Sequence, residues 1–144
     1  MRADYLNENS GKSNLDAKVI NLTAAATLTA DQSGSCFFLD SAGGAYTITL
    51  PSVSVGLQYK LFVVEDTPTG AITIAAGSAI MYGRVLEGEV DTTEDANGSA
   101  GATGKSNFII GTAANQGDWM SLVSDGISWY VSGVSALDNS ITAS

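Results

Sequence analysis

Short segments of alternating apolar and polar residues recur along most of the chain and are its main structural signal. From Lys18 onward, runs rich in Val, Ile, Leu, Thr, Phe and Tyr are separated by Gly, Ser, Asp and Pro. A period of two places successive side chains on opposite faces, as in a half-buried β-strand. The pattern predicts an all-β fold, a single jelly-roll-like β-sandwich or barrel with an extended N-terminal arm. The predicted strands are 18–22, 25–30, 35–40, 45–50, 57–64, 71–76, 80–86, 107–113, 118–124 and 128–132.

Two of the predicted strands indicate which side chains are buried. In the run YTITL, from Tyr46 to Leu50, large apolar residues alternate with threonines, so one face of this strand is expected to lie in the core. The next strand, 57–64, alternates in the same way until Phe62 and Val64 place apolar side chains on its otherwise polar face. We therefore expect the far end of this strand to be covered on both sides, which implies a second layer.

An Asp-Gly pair predicts a β-hairpin near the end of the chain. Asp125 and Gly126 stand between the strand-forming runs WMSLV and SWYVSG, and both residue types tolerate the positive φ of a tight turn. We expect Trp119 and Trp129 to lie near each other across this hairpin and to anchor the core. Two alternatives remain open for the pair, namely an exposed platform that stacks on a sugar and a contact between subunits.

Composition divides the chain into one domain with two flanking segments. Residues 1–17 are polar and lack a strand or helix period, which predicts an N-terminal arm without a core of its own. We expect the β-domain to span 18–135 and a C-terminal tail to span 136–144. Residues 87–106 are rich in acids, glycines and small residues, which predicts a long surface loop. This loop is either a contact arm to a neighbouring chain or a solvated excursion.

Scarce residue types narrow the chemistry. The chain has no histidine and one cysteine, so histidine-based catalytic triads and most zinc sites are excluded. We predict a protein that is not an enzyme and that uses no cofactor or metal. Its net charge of −9 disfavours nucleic acid and anionic membranes as partners. Cys36, in the run SCFFLD, is expected to be a small buried hydrophobe.

One stretch approaches a nucleotide-binding motif. Residues Ser99 to Ser106 differ from the pattern GxxxxGK[ST] only at the first position. A phosphate-binding loop follows a buried strand and opens a helix, whereas this stretch follows an acidic segment and precedes the strand-like run NFII. We therefore predict no nucleotide site.

Three runs resemble modules of tailed-bacteriophage virion proteins. They are AYTITLPSVSVGLQYKLFVV, AITIAAGSAIMYG and GDWMSLVSDGISWYVSG. The likeness is to capsid decoration (cement) proteins and fibre domains, in which a TITLP strand, a Gly-led strand, an ITI strand and a DG-x-x-W-Y hairpin recur. The resemblance implies a β-sandwich or barrel, commonly trimeric, that binds the outside of a virion and performs no chemistry. The insertion at 87–106 departs from this pattern.

The resemblance leads to a specific functional expectation. It implies a capsid decoration protein on the capsid exterior, a homotrimer that bridges subunits of the major capsid protein and so stabilises the head. The alternative is a tail fibre, spike or baseplate module, or a carbohydrate-binding domain. Residues of the arm and of the acidic loop are the expected partner contacts, chosen for their side-chain chemistry. They are Arg2, Tyr5, Leu6, Asp91, Glu94 and Asp95.

Overall fold

The computed structural model describes residues 18–88 and 98–144. In this part of the chain, twelve strands form two sheets that pack against each other, which confirms the predicted β-sandwich. One turn of 3-10 helix, Ala30–Gln32, interrupts them. The strands are β1 (Val19–Leu22), β2 (Ala26–Thr27), β3 (Cys36–Leu39), β4 (Tyr46–Thr49), β5 (Val55–Val63), β6 (Ile72–Ala75), β7 (Met81–Glu87), β8 (Gly98–Lys105), β9 (Asn107–Ile110), β10 (Trp119–Asp125), β11 (Trp129–Ser135) and β12 (Ile141–Ala143).

The first six strands alternate between the two sheets and form three turns of a coil. The larger sheet has seven strands in the order β1-β3-β5-β10-β11-β7-β8, and the smaller has five in the order β12-β9-β6-β4-β2. Between two neighbouring strands of one sheet, the chain passes through a strand of the other sheet. The two neighbouring strands therefore run in the same direction and pair in parallel. This pairing differs from the predicted jelly-roll-like arrangement, because the strands of a jelly roll pair antiparallel.

The core lies between the sheets and is built from alternate residues of nearly every strand. In β5, Leu57, Tyr59 and Leu61 are buried, whereas the residues between them are exposed. In β4, Ile48 is buried between exposed threonines, as the alternation predicted. The largest fully buried side chains come from both sheets and include Trp129, Tyr59, Phe37, Phe108, Leu28, Leu39, Ile48, Leu61, Ile72, Ile74, Met81 and Ile110. Burial of this apolar surface is the main stabilising contribution to the fold.

Two strands lie where the sequence predicted a loop and a tail. Gly98–Lys105, within the predicted loop 87–106, forms β8 and pairs antiparallel with β7. Ile141–Ala143, within the predicted tail 136–144, forms β12 and pairs antiparallel with β9. Ile141 is fully buried, so the C-terminal segment belongs to the domain. Neither segment has the alternating apolar pattern of a strand buried on one face, so alternation could not predict them. Each becomes a strand because its backbone pairs with a neighbouring strand.

The predicted hairpin at Asp125-Gly126 is present and connects β10 to β11. One carboxylate oxygen of Asp125, Oδ1, accepts hydrogen bonds from the backbone N–H groups of Ile127 and Ser128, each at 2.8 Å. Gly126 has a φ of +96°, which a residue with a side chain rarely adopts. Gly126 therefore has the positive φ that the sequence predicted, whereas Asp125 does not and contributes to the turn through its carboxylate.

Candidate binding face of the seven-stranded sheet

The side chains on the outer side of the seven-stranded sheet form an exposed surface, here called the outer face. They alternate with the core residues of β1, β3, β5, β10, β11 and β7, and the strand register arranges them in rows that cross the sheet. Six strands at a spacing of about 4.8 Å make each complete row roughly 24 Å long. The outer face holds most of the exposed large hydrophobic residues of the described chain, namely Val19, Leu86, Val123, Tyr130 and Val134.

One row, here called the apolar row, is almost entirely hydrophobic. Beginning at β1, it consists of Asn21, Phe38, Phe62, Trp119, Val134 and Leu86. Phe38 and Phe62 contact each other with ring centroids 5.6 Å apart. Leu86 is 55% exposed and Val134 is 39% exposed. Clustered apolar side chains of this kind, on the solvent side of a sheet, are typical of a surface that binds a partner.

The adjacent row, here called the cationic row, carries two positive charges. It consists of Val19, Cys36, Lys60, Ser121, Ser132 and Arg84. The Lys60 ammonium lies over the apolar row, 5.1 Å from the ring centroid of Trp119 and 5.6 Å from that of Phe62. At these distances the cation is attracted to the electron-rich ring faces. Lys60 therefore covers part of both rings and is held in place by them.

The third row includes Gln58 and Val123 and ends in two neighbouring tyrosines, Tyr130 and Tyr82. The rings of Tyr82 and Tyr130 are 6.3 Å apart. Tyr130 donates a hydrogen bond to Oδ2 of Asp125 at 3.2 Å, and this bond raises the pKa of Tyr130. Hydrogen bonds from the backbone of Ser128 and Ile127 hold the pKa of Asp125 below its usual value. The carboxylate is thus engaged in the hairpin turn at the margin of the outer face.

The solvent side of the five-stranded sheet has a different composition. Its central row is Thr47, Thr73, Ile109 and Thr142, and a second row includes Thr49, Ala75 and Asn107. Hydroxyl and amide groups predominate there, as expected for a sheet face in contact with water. None of the exposed large hydrophobic residues of the described chain lies on this face. The contrast between the two sheets identifies the outer face as the candidate binding surface.

The two tryptophans are not neighbours, which corrects the prediction from sequence. Trp129 pairs with Ser124 near the turn and is fully buried, whereas Trp119 pairs with Val134 at the far end of the hairpin. Trp119 is only partly buried and belongs to the outer face. The error arises because β10 has apolar residues on both sides, so its alternation does not show which side faces the core.

Cys36 also differs from its predicted place in the core. Its neighbours Phe37 and Leu39 are buried, and Cys36 points to the opposite side, where it is partly exposed. It borders a shallow recess of about 300 Å³ together with Gly34, Gln58, Lys60 and Ser121. The only thiol of the chain therefore lies on the outer face, beside Lys60.

Phe62 marked this side of the sheet as unusual in the sequence. It was expected to be covered by a second layer on its outer side, because it interrupts the polar face of β5. In the described residues its outer side is covered only in part, by contacts with Phe38 and by Lys60. Phe62 therefore contributes to the partly exposed apolar row of the candidate binding surface.

The partner contacts that the sequence predicted in the arm and the acidic loop are not among the residues that the structure describes. Arg2, Tyr5, Leu6, Asp91, Glu94 and Asp95 lie outside the described residues. The near-match to a phosphate-binding loop lies in β8 and is followed directly by β9. Because no helix begins at its end, the stretch lacks the helix N-terminus that holds a phosphate in such loops.

Residues 18–88 and 98–144 contain neither a candidate metal site nor a candidate membrane-spanning helix. In this part of the chain, no group of three or more His, Cys, Asp or Glu residues is arranged to hold a metal ion. Within the same ranges, no helix has the length and apolar character needed to cross a membrane.

Comparisons with known proteins leave the family open. Neither the scan against protein-family models nor the search of curated proteins finds a match to this chain.

Proposed function

We propose that this protein is a structural component of a tailed-bacteriophage virion, a decoration protein that binds the exterior of the capsid and stabilises the assembled head. The observation that carries the proposal is the concentration of exposed apolar side chains on the outer face of one sheet. A surface of this type favours binding to another macromolecule. The resemblance of the strand and hairpin runs to phage virion modules supplies the biological setting.

Under this proposal, the protein stabilises the head by binding neighbouring capsid subunits together. A decoration protein that contacts neighbouring subunits of the major capsid protein adds buried area between them, at about 25 cal/mol for each Å² of apolar surface. A homotrimer would suit a threefold position on the head, since each copy then presents the same surface to an equivalent capsid subunit. Catalysis, a cofactor and nucleic acid have no part in this mechanism.

The proposal is tested by locating the protein in purified virions. Antibodies raised against the chain and detected with gold particles are expected to label the head uniformly. Labelling confined to the tail or baseplate would contradict the decoration role and favour a fibre or baseplate component. Sedimentation of the isolated protein checks the trimer, which is expected at three times the chain mass of 14.7 kDa.

A carbohydrate-binding module is the second candidate, and one feature favours it. A groove at the β1 end of the apolar row is lined by Phe38 and Val64 together with the polar side chains of Asn21, Thr23 and Asp40. Amide and carboxylate groups beside an aromatic ring are typical of sugar sites. Binding of the protein to a glycan array, reduced by Asn21→Ala, would support this function.

A further inference from the structure

We infer that the outer face binds an acidic surface of a different protein chain, with Lys60 and Arg84 pairing with its carboxylates while the apolar row covers its hydrophobic side chains. This inference rests on the proposed function, under which the partner is the major capsid protein. It adds the face that docks, the residues that contact the partner and the chemistry of the partner surface.

The distribution of charge on the outer face carries the inference. The protein has a net charge of −9 and only six basic residues, and two of them, Lys60 and Arg84, lie in the cationic row. No residue of the three rows is Asp or Glu. Lys60 has Cys36 and Ser121 as its cross-strand neighbours, and Arg84 has Ser132 beside it. The centre of the outer face is therefore positive in an otherwise acidic protein, and it complements a negative surface.

The two cations are suited to carboxylates on a protein surface. Three strand spacings separate Lys60 on β5 from Arg84 on β7, roughly 14 Å across the sheet. The apolar row runs directly alongside them. A partner that fills this surface presents hydrophobic side chains to Trp119 and Val134. It also presents two carboxylates, one spaced to meet Lys60 and the other to meet Arg84. Burial of the apolar row supplies the affinity, and the charge pairs set the orientation and the choice of partner.

Other occupants fit the outer face less well. In a twofold pair of this chain, the same surface would meet itself and bring the cations of both copies together. A sugar seated in the groove beside Asn21 and Phe38 would leave Trp119, Val134 and Arg84 uncovered. These occupants are distinguished by the experiment below.

Zero-length cross-linking tests the partner chemistry directly. The native protein is purified in the assembly in which it occurs and treated with a carbodiimide, which joins an amine to a carboxylate in contact with it. We expect Lys60 to be linked to an Asp or Glu of a different chain. A link to the major capsid protein supports both the proposed function and the inference. A link to a tail protein supports the inference and contradicts the decoration role. A link to another copy of this chain, or none at Lys60 while other lysines react, overturns the inference.

A pair of matched variants gives a second readout. The first double variant combines Lys60→Gln with Arg84→Gln on the outer face. The second combines Thr47→Glu with Thr49→Glu on the opposite side of the sandwich, and both double variants lower the net charge by the same amount. The first pair is expected to raise the Kd for the isolated partner at least about tenfold and to reduce the salt dependence of binding, whereas the second leaves both nearly unchanged. Equal effects of the two pairs, or no effect of the first with its fold intact by circular dichroism, would overturn the inference. Saturable binding of a glycan competing with the partner would assign the face to a sugar instead.

Discussion

Trp119 and Trp129 occupy opposite sides of the same sheet and opposite ends of the hairpin that joins them. Trp129 pairs with Ser124 and lies in the core, where its ring centroid is 5.7 Å from that of Tyr59. Trp119 pairs with Val134 and lies under the Lys60 ammonium on the outer face. One tryptophan therefore stabilises the fold, and the other belongs to the surface proposed to bind a partner.

Substitution of each tryptophan should separate stability from binding. Trp129→Ala is expected to lower the free energy of unfolding by about 3 to 5 kcal/mol, because it leaves a cavity in the core. Trp119→Ala is expected to cost much less stability but to weaken partner binding. Urea denaturation of both variants, followed by a binding assay on the folded ones, checks the prediction. Equal destabilisation by the two substitutions would be the contrary result.

Gly83 should be the glycine whose replacement damages the larger sheet most clearly. Its φ is +133°, and a Cβ atom placed there would lie 1.9 Å from the carbonyl oxygen of Val131 on the neighbouring strand. We expect Gly83→Ala to cost about 3 kcal/mol or more, because the pairing of β7 with β11 must shift.

Gly77 is the matched control for this steric effect. It also has a positive φ, +79°, but a Cβ atom there would meet nothing within 4 Å. Gly77→Ala should therefore cost only the conformational penalty of about 1 to 2 kcal/mol. Thermal and urea denaturation measure both variants, and similar losses would mean that the close approach at Gly83 is relieved by a small backbone adjustment.

Alkaline pH should destabilise the fold through Tyr46. Burial raises the pKa of Tyr46 from 10.0 to about 12, and its hydroxyl donates a hydrogen bond to the carbonyl oxygen of Leu22 at 2.9 Å. A raised pKa means that the folded protein favours the neutral phenol. The resulting stabilisation is complete below the pKa of the unfolded chain, at pH 10, and is lost as the pH rises towards 12.

The variant Tyr46→Phe tests this assignment. It lacks the hydrogen bond and should be less stable than the wild type at neutral pH, but its free energy of unfolding should fall less between pH 10 and pH 12. Tyr59, whose pKa burial also raises, remains in both proteins and contributes equally. Parallel decline of the two stability curves would exclude Tyr46 as the source.

Cys36 offers a chemical test of the outer face without any substitution. It is the only thiol in the chain and is partly exposed beside Lys60. We expect a bulky maleimide to react with it in the free protein and the product to bind the partner poorly. In the preformed complex the reaction should be much slower. Unchanged reactivity on complex formation would place the contact on another surface.

Sequence patterns predicted the individual strands far better than their arrangement. All ten predicted strands occur. Alternating apolar and polar residues, as in β4 and β5, place the apolar side chains on one face only if the segment is a β-strand, so the pattern predicts the element itself. The parallel coil was not predicted, although Ala45-Tyr46-Thr47-Ile48 and Ala71-Ile72-Thr73-Ile74 are similar runs, and Thr47 pairs with Thr73 in register. This internal similarity indicated that β4 and β6 occupy equivalent positions in adjacent turns of the coil.

The candidate binding face was harder to predict for a physical reason. Trp119, Lys60 and Arg84 come from three strands far apart in sequence, and only the register of the larger sheet brings them to one surface. The apolar residues of β10 on both of its sides gave no indication of which side was exposed. Phe62 and Val64, as apolar residues on the polar face of the predicted strand 57–64, marked this side of the sheet as unusual but were interpreted as covered by a second layer.

A cryo-electron microscopy map of the phage head tests the central claim most directly. We predict density for the sandwich on the outside of the capsid, with the seven-stranded sheet against the shell and Lys60 and Arg84 facing carboxylates of the major capsid protein. The threonine-rich face of the five-stranded sheet should point to solvent. Density that instead places the outer face towards solvent, or a head that lacks this protein altogether, would contradict the claim.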